Sequence, residues 1–85
     1  MKNLINNKQS KMKIEKLNEK LTMLLESKKR KEKQIEELKK EIRDYSYEYD
    51  IVKCNMVEIE YLEGYIEKLN DKINVTNEKI SKYEF

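Results

Sequence analysis

The sequence contains no proline and only one glycine, Gly64. Compact β domains need many tight turns, and those turns depend on residues such as glycine and proline. The composition, in which 42% of residues are charged and 38% are hydrophobic, is instead typical of a long helix or coiled coil. The sequence therefore predicts an all-α protein.

Histidine is absent, so the chain lacks the side chain most often used for acid–base catalysis and metal binding. With a single glycine it also cannot form a glycine-rich phosphate-binding loop. Cys54 is the only cysteine, and neither an internal disulfide nor an adjacent base is available to it. We therefore expect no enzymatic activity, no catalytic, cofactor-binding or metal-binding residues, and no cofactor.

Long hydrophobic runs are absent as well. The longest uninterrupted apolar stretch is 23–25, whereas a membrane-spanning helix needs about 20 apolar residues. No apolar segment near the N-terminus resembles a signal peptide, and a single free thiol fits a reducing compartment. We expect a cytoplasmic protein, or a nuclear one if the source is eukaryotic, with no membrane partner.

What the chain does have is a stripe of apolar residues at alternating steps of three and four, the heptad spacing of coiled coils. Because such a stripe is too narrow to enclose a private core, we expect a homo-oligomer or a helical protein partner. The predicted oligomer seam consists of Ile14, Leu17, Leu21, Leu24, Ile35, Leu38, Ile42, Val52, Met56, Ile59, Leu62, Ile66, Leu69, Ile73 and Ile80.

The heptad spacing is irregular just before the glycine. Met56, Ile59 and Leu62 follow one another at steps of three, which predicts a stammer, a local overwinding of the supercoil. Gly64 comes next, and glycine inside a helix costs about 1 kcal/mol relative to alanine. The segment 56–65 is therefore predicted to be a weak point of the helix.

Residues 1–10 lack the heptad spacing and are rich in Asn, Gln and Lys. They are predicted to form a polar N-terminal lead-in to the helical region 11–83. Ser10, the last residue of the lead-in, is a candidate N-cap.

Three all-α arrangements are compatible with the heptads. The first is a long continuous coiled-coil helix over about 11–83. The second is an antiparallel helical hairpin that turns near 44–50, and the third breaks the chain near 27–31 and again near Gly64. Because 44–50 contains no glycine or proline and two of its tyrosines keep the heptad spacing, the continuous helix is favoured.

Charge is distributed unevenly along the chain. Residues 1–33 carry a net charge of +7 and residues 34–85 one of −5. Such asymmetry favours antiparallel packing of helices, and it also favours contact between the basic half and an acidic partner. Lys28 and Lys31 fall on seam positions, so 27–31 is a second predicted weak point where the lysines select register or partner.

These features predict a non-enzymatic coiled-coil subunit that oligomerises or binds proteins within a larger assembly. One alternative is a nucleic-acid-associated regulator that uses the basic N-terminal half. Another is a small viral or mobile-element protein that binds and blocks a host factor. The residues predicted to contact an acidic partner are Lys28, Lys29, Arg30, Lys31 and Lys33.

Overall fold

A computed structural model describes the backbone of residues 2–83 and the side chains of residues 11–83. The chain forms helix α1, Lys2–Asp44, and helix α2, Tyr49–Ser81, which are joined by a turn at 45–48. The two helices pack side by side in a rod of 70 × 15 × 13 Å. The all-α prediction is confirmed, and the chain adopts the hairpin, the second of the three arrangements.

The favoured prediction of one continuous helix over 11–83 is wrong, because the backbone leaves the helix after Asp44. The Tyr45 N–H still donates to the Glu41 carbonyl at 2.9 Å, and the Glu48 N–H then donates to the Tyr45 carbonyl at 2.9 Å. The second hydrogen bond joins residues three apart instead of four, and at this tighter turn the chain reverses direction.

Local sequence supports a helix boundary at this point. Tyr45, Ser46 and Tyr47 are weaker helix formers than the Lys, Glu and Leu that precede them. Arg43 lies in the last turn of α1 and Asp50 in the first turn of α2, where each charge interacts favourably with its helix dipole. These preferences are small, so the burial of one apolar stripe against the other supplies most of the stability of the hairpin.

The three-helix prediction is also wrong, because α1 is unbroken through 27–31 and α2 is unbroken through Gly64. At the N-terminus, α1 begins at Lys2 rather than after residue 10, so Ser10 lies inside the helix and not at its cap. The side chains of the predicted lead-in lie outside the described residues.

The predicted stammer does not occur. In α2 the seam runs through Val52, Asn55, Ile59 and Leu62, which alternate at steps of three and four. Asn55 is 7% exposed and Met56 is 59% exposed, so Asn55 and not Met56 lies in the contact between α1 and α2. The assignment of Met56 to a seam between chains stays a prediction. Because the chain reverses at the turn, the heptad positions of α2 need not continue those of α1, and each helix contacts the other with its own heptad pattern.

The hydrophobic core is thin. Among the described residues, five apolar side chains are buried, and most other seam residues are half-buried because only one helix covers them. The buried apolar side chains are Ile35, Leu62, Leu69, Ile73 and Ile80. A two-helix hairpin of this kind leaves apolar surface available for further contacts.

Candidate interaction surfaces

The residues of the predicted seam, apart from Met56, lie buried or half-buried between α1 and α2. The half-buried ones include the N-terminal group Ile14, Leu17, Leu21 and Leu24. Heptad spacing thus located the surface on which one helix meets another, and in the hairpin that contact is made within a single chain. Their role between chains stays a prediction.

Asn55 is a buried polar residue in this apolar seam. Its Nδ2 donates to the carbonyl oxygen of Leu38 in α1 across 3.5 Å, a long hydrogen bond. A single buried asparagine in a coiled-coil seam typically fixes register at a cost in stability, because a shifted register leaves its amide unpaired. The buried amide of Asn55 therefore favours the alignment that places it next to the Leu38 carbonyl.

Lys31 shows how the hairpin accommodates a cation in the seam. It is half-buried, and its Nζ lies 5.1 Å from the centre of the Tyr65 ring in α2. A lysine ammonium over the face of a tyrosine ring is attracted by the quadrupole of the ring. The side chain thus covers the seam with its methylene groups and places its charge on an aromatic surface. Lys28, one turn earlier, is also half-buried.

A second contact of the same kind lies near the open end of the hairpin. The Nζ of Lys13 lies 6.0 Å from the centre of the Tyr83 ring. Between the two contacts, Thr76 is 1% exposed and donates its hydroxyl to the Lys72 carbonyl at 2.8 Å, so burial leaves no unpaired hydroxyl.

The basic run divides between the seam and the solvent. Lys29, Arg30 and Lys33 are exposed on the surface of α1, whereas Lys28 and Lys31 are half-buried against α2. Of the five residues predicted to contact an acidic partner, three are therefore available in the closed hairpin. The other two lie in the contact between the helices.

Large apolar side chains are exposed on α2 outside its contact with α1. Val57 and Tyr61 lie one turn apart on the side opposite the seam, and Met56 lies on the flank. Met56, Val57 and Tyr61 are 59%, 61% and 72% exposed, and we call these three residues the outward patch. Gly64 follows on the same side as Val57 and Tyr61 at helical spacing. Apart from its chain neighbours and the backbone of its own helix, a methyl group placed on its Cα would meet no atom within 4 Å. A shallow groove beside the patch is also lined by Lys53 and Glu60.

Three tyrosines surround the turn. Tyr45, Tyr47 and Tyr49 are 44%, 77% and 72% exposed. The Tyr45 and Tyr47 rings lie 6.3 Å apart at a tilt of 51°, and the Nζ of Lys53 lies 5.9 Å from the Tyr49 ring. Tyrosine combines apolar area with a hydrogen-bonding end, so this end of the rod exposes both kinds of surface.

The part of the chain with described side chains holds no group of three or more metal-ligating residues. Cys54 is exposed and carries a free thiol. Neither described helix combines the length and hydrophobicity needed to cross a membrane.

Sequence reasoning missed Asn55 as a seam residue and Tyr65 as the aromatic partner of Lys31. The signal for Asn55 was present, since the steps from Val52 through Asn55 and Ile59 to Leu62 are regular once α2 is considered alone. No sequence signal pairs Lys31 with Tyr65, because their proximity depends on the position of the turn.

Comparison with protein-family models, with curated proteins and with solved structures finds no match to this chain.

Proposed function

We propose that the protein is a non-enzymatic helical interaction subunit that binds other protein surfaces through the outward patch. The observation that carries this proposal is the exposure of Val57 and Tyr61, one turn apart on the side of α2 opposite the seam, with Met56 exposed beside them. Isolated exposed apolar residues are common on soluble proteins, but a cluster of them is typical of contact sites. Tyrosine and methionine are also enriched at protein interfaces.

Acidic residues surround the outward patch. Glu58, Glu60 and Glu63 are all exposed on α2 next to it, and Lys53 is the nearest basic residue in sequence. Apolar side chains with charged groups beside them are common in protein interfaces. This combination favours a partner whose surface is apolar with a basic rim.

The test compares charged substitutions inside and outside the outward patch. Val57→Glu and Tyr61→Glu place a carboxylate in the patch, and Met23→Glu is the matched control because Met23 is 70% exposed on α1. Circular dichroism first establishes that the three variants remain helical. Association is then measured by sedimentation equilibrium, and partner binding by affinity capture with the purified chain.

Binding that is lost in both patch variants and kept in Met23→Glu supports the proposal. A carboxylate buried in an apolar contact without a partner costs at least about 1.4 kcal/mol, so the affinity should fall about tenfold or more for each patch variant. A chain that stays monomeric and captures the same proteins with and without the patch substitutions contradicts it.

A nucleic-acid-associated function is the second candidate, and the exposure of Lys29, Arg30 and Lys33 on α1 favours it. Its test is a salt titration of duplex DNA binding. Each lysine or arginine that neutralises a phosphate makes the logarithm of the affinity fall more steeply with the logarithm of the salt concentration. Replacement of the three residues by glutamine should flatten that slope, while the same change at Lys68, Lys72 and Lys79 is the control. Absence of binding at low salt excludes this candidate.

A further inference from the structure

The hairpin leaves two seam-phase tyrosines outside its seam. Tyr45 and Tyr49 continue the steps of three and four that connect Ile42 to Val52. In the hairpin, however, the chain reverses between them, and they are 44% and 72% exposed. The sequence thus carries heptad positions through the turn that the closed hairpin does not bury.

No residue of the turn excludes a helical backbone. The segment 44–49 contains no glycine or proline, and no described residue outside glycine has a positive φ. Glu48, at the N-cap of α2, makes no side-chain capping hydrogen bond. Every residue of the segment can therefore adopt helical dihedral angles. A straight helix would also pair the backbone groups that the ends of α1 and α2 leave free.

Residues that oppose each other in α1 and α2 lie at almost equal distances along the chain from the turn. Three contacts across the helices join residues 38 and 55, 31 and 65, and 13 and 83. The residue numbers of these pairs add to 93, 96 and 96. The α2 helix of a second copy could therefore lie on the same face of α1, in the same register, if the turn were straight.

We infer that the protein forms an antiparallel dimer in which residues 45–48 become helical and two copies exchange their α2 helices. Each seam is then made between chains instead of within one chain. We call this species the exchanged dimer. It concerns the seam rather than the outward patch, and it goes beyond the proposed function because the partner is a second copy of this chain.

The exchanged dimer gives the heptad positions of Tyr45 and Tyr49 a contact that the closed hairpin lacks. With residue numbers of opposing positions adding to about 94, Tyr45 of one copy lies opposite Tyr49 of the other, and the reverse pair forms by symmetry. Four rings that are exposed in two separate hairpins then pack in the middle of the seam. Aromatic pairs of this kind stabilise a contact beyond the apolar area that they bury.

Two costs oppose the exchange. Association removes translational and rotational freedom, so the balance between hairpin and exchanged dimer depends on protein concentration. In a straight helix the heptad positions of α1 would continue to Met56, whereas those of α2 pass through Asn55. The seam must therefore shift by one residue where the two patterns join. That shift is a local overwinding of the coiled coil near the turn.

Cys54 provides the distance that identifies the exchanged dimer. It is exposed and is the only cysteine, so each chain takes one spin label. With opposing numbers that add to 93–96, the two labels are 12–15 residues apart along the rod. At 1.5 Å per residue and with the width of a helix pair added, the labels should lie about 20–25 Å apart.

Other dimers give other distances by double electron–electron resonance. Closed hairpins that pack α2 against α2 in an antiparallel sense, centred on the middle of α2, should place the labels about 30–35 Å apart. A parallel pair in register should place them about 10 Å apart. Either result contradicts the exchanged dimer, and so does the absence of a pair distance at every concentration.

Turn variants supply the second measurement. Ser46→Gly with Tyr47→Gly favours the turn, and Ser46→Ala with Tyr47→Ala favours the straight helix, while both leave every seam residue unchanged. Because glycine costs about 1 kcal/mol relative to alanine at each helical position, the four positions of one dimer should separate the two dissociation constants on the order of a thousandfold. Equal dissociation constants overturn the inference, even for a chain that dimerises.

These outcomes are distinct from those of the outward patch. If Val57→Glu abolishes association while the turn variants leave it unchanged, the patch is the contact and the exchanged dimer is wrong. If the turn variants shift association while Val57→Glu does not, the exchanged dimer is supported and the outward patch has no role in it.

Discussion

The Nζ of Lys31 in α1 lies 5.1 Å from the centre of the Tyr65 ring in α2, so a seam position occupied by a cation contacts an aromatic ring of the opposite helix. This contact joins residues far apart in sequence and exists only when the two helices pack. A cation–π contact of this kind contributes about 0.5–1 kcal/mol at partly exposed sites.

A double-mutant cycle should therefore detect coupling between the two side chains. Lys31→Met keeps the stem and removes the charge, and Tyr65→Leu keeps apolar area and removes the ring. We expect the free energies of unfolding to show a favourable coupling of about 0.5–1 kcal/mol, measured by urea denaturation.

The control cycle uses Lys53→Met and Tyr49→Leu. These residues are both exposed, belong to the same helix and have a longer Nζ–ring distance of 5.9 Å. Their coupling should be smaller, about 0.3 kcal/mol, as for other pairs on a helix surface. Equal couplings in the two cycles would show that Lys31 gains nothing from its place between the helices.

Lys28 offers a way to strengthen the seam. It is half-buried at a heptad position next to apolar seam residues. Lys28→Leu adds apolar side-chain area at this position and removes a half-buried positive charge. We expect the free energy of unfolding to rise by about 1 kcal/mol.

The matched control for this change is Lys29→Leu, one residue along and exposed. It should change the free energy of unfolding by less than about 0.5 kcal/mol, as is usual at surface positions. If Lys29→Leu stabilises the protein as much as Lys28→Leu, the seam position has no special role.

The sequence located the helix–helix surface but not the chain reversal. Heptad spacing is a property of each helix, and it correctly placed residues such as Leu17 and Leu69 between two helices. Spacing alone does not distinguish a seam within a chain from a seam between chains. Tyr45 and Tyr49 keep the same steps in a straight helix and in a hairpin, so only the pairing of distant segments decides between them.

The placement of Met56 in the same helix–helix contact as Ile42 has the same origin. When α1 and α2 are assumed to be one helix, the phase set by Ile42 leads to Met56, and the remaining mismatch is interpreted as a stammer. A chain reversal removes that assumption, and the seam passes through Asn55 instead. The exposure of Met56 was missed for the same reason.

Gly64 lies on the open surface of α2, where a methyl group would meet no neighbouring atom. Gly64→Ala should raise the free energy of unfolding by about 0.5–1 kcal/mol, because alanine loses less backbone entropy in a helix. The measurement is urea denaturation with an unchanged slope. Glu63→Ala, at an exposed neighbour, is the control and should have almost no effect. A loss of stability in Gly64→Ala would mean that something packs against that face.

Replacement of Asn55 shows whether the buried amide lowers the free energy of unfolding while it keeps the two helices in one register. Its hydrogen bond to the Leu38 carbonyl is long, at 3.5 Å, and its side chain is buried among apolar residues. Such a bond contributes little, so Asn55→Leu should raise the free energy of unfolding by about 1–2 kcal/mol through apolar burial.

The same substitution should broaden the range of associated species in sedimentation velocity, because the buried Asn55 amide, which penalises a shifted register, is gone. Asn74→Leu, at an exposed position of α2, is the control and should leave both stability and association unchanged. If Asn55→Leu instead lowers the free energy of unfolding by 1 kcal/mol or more, the amide stabilises the hairpin directly, and its role is not one of register.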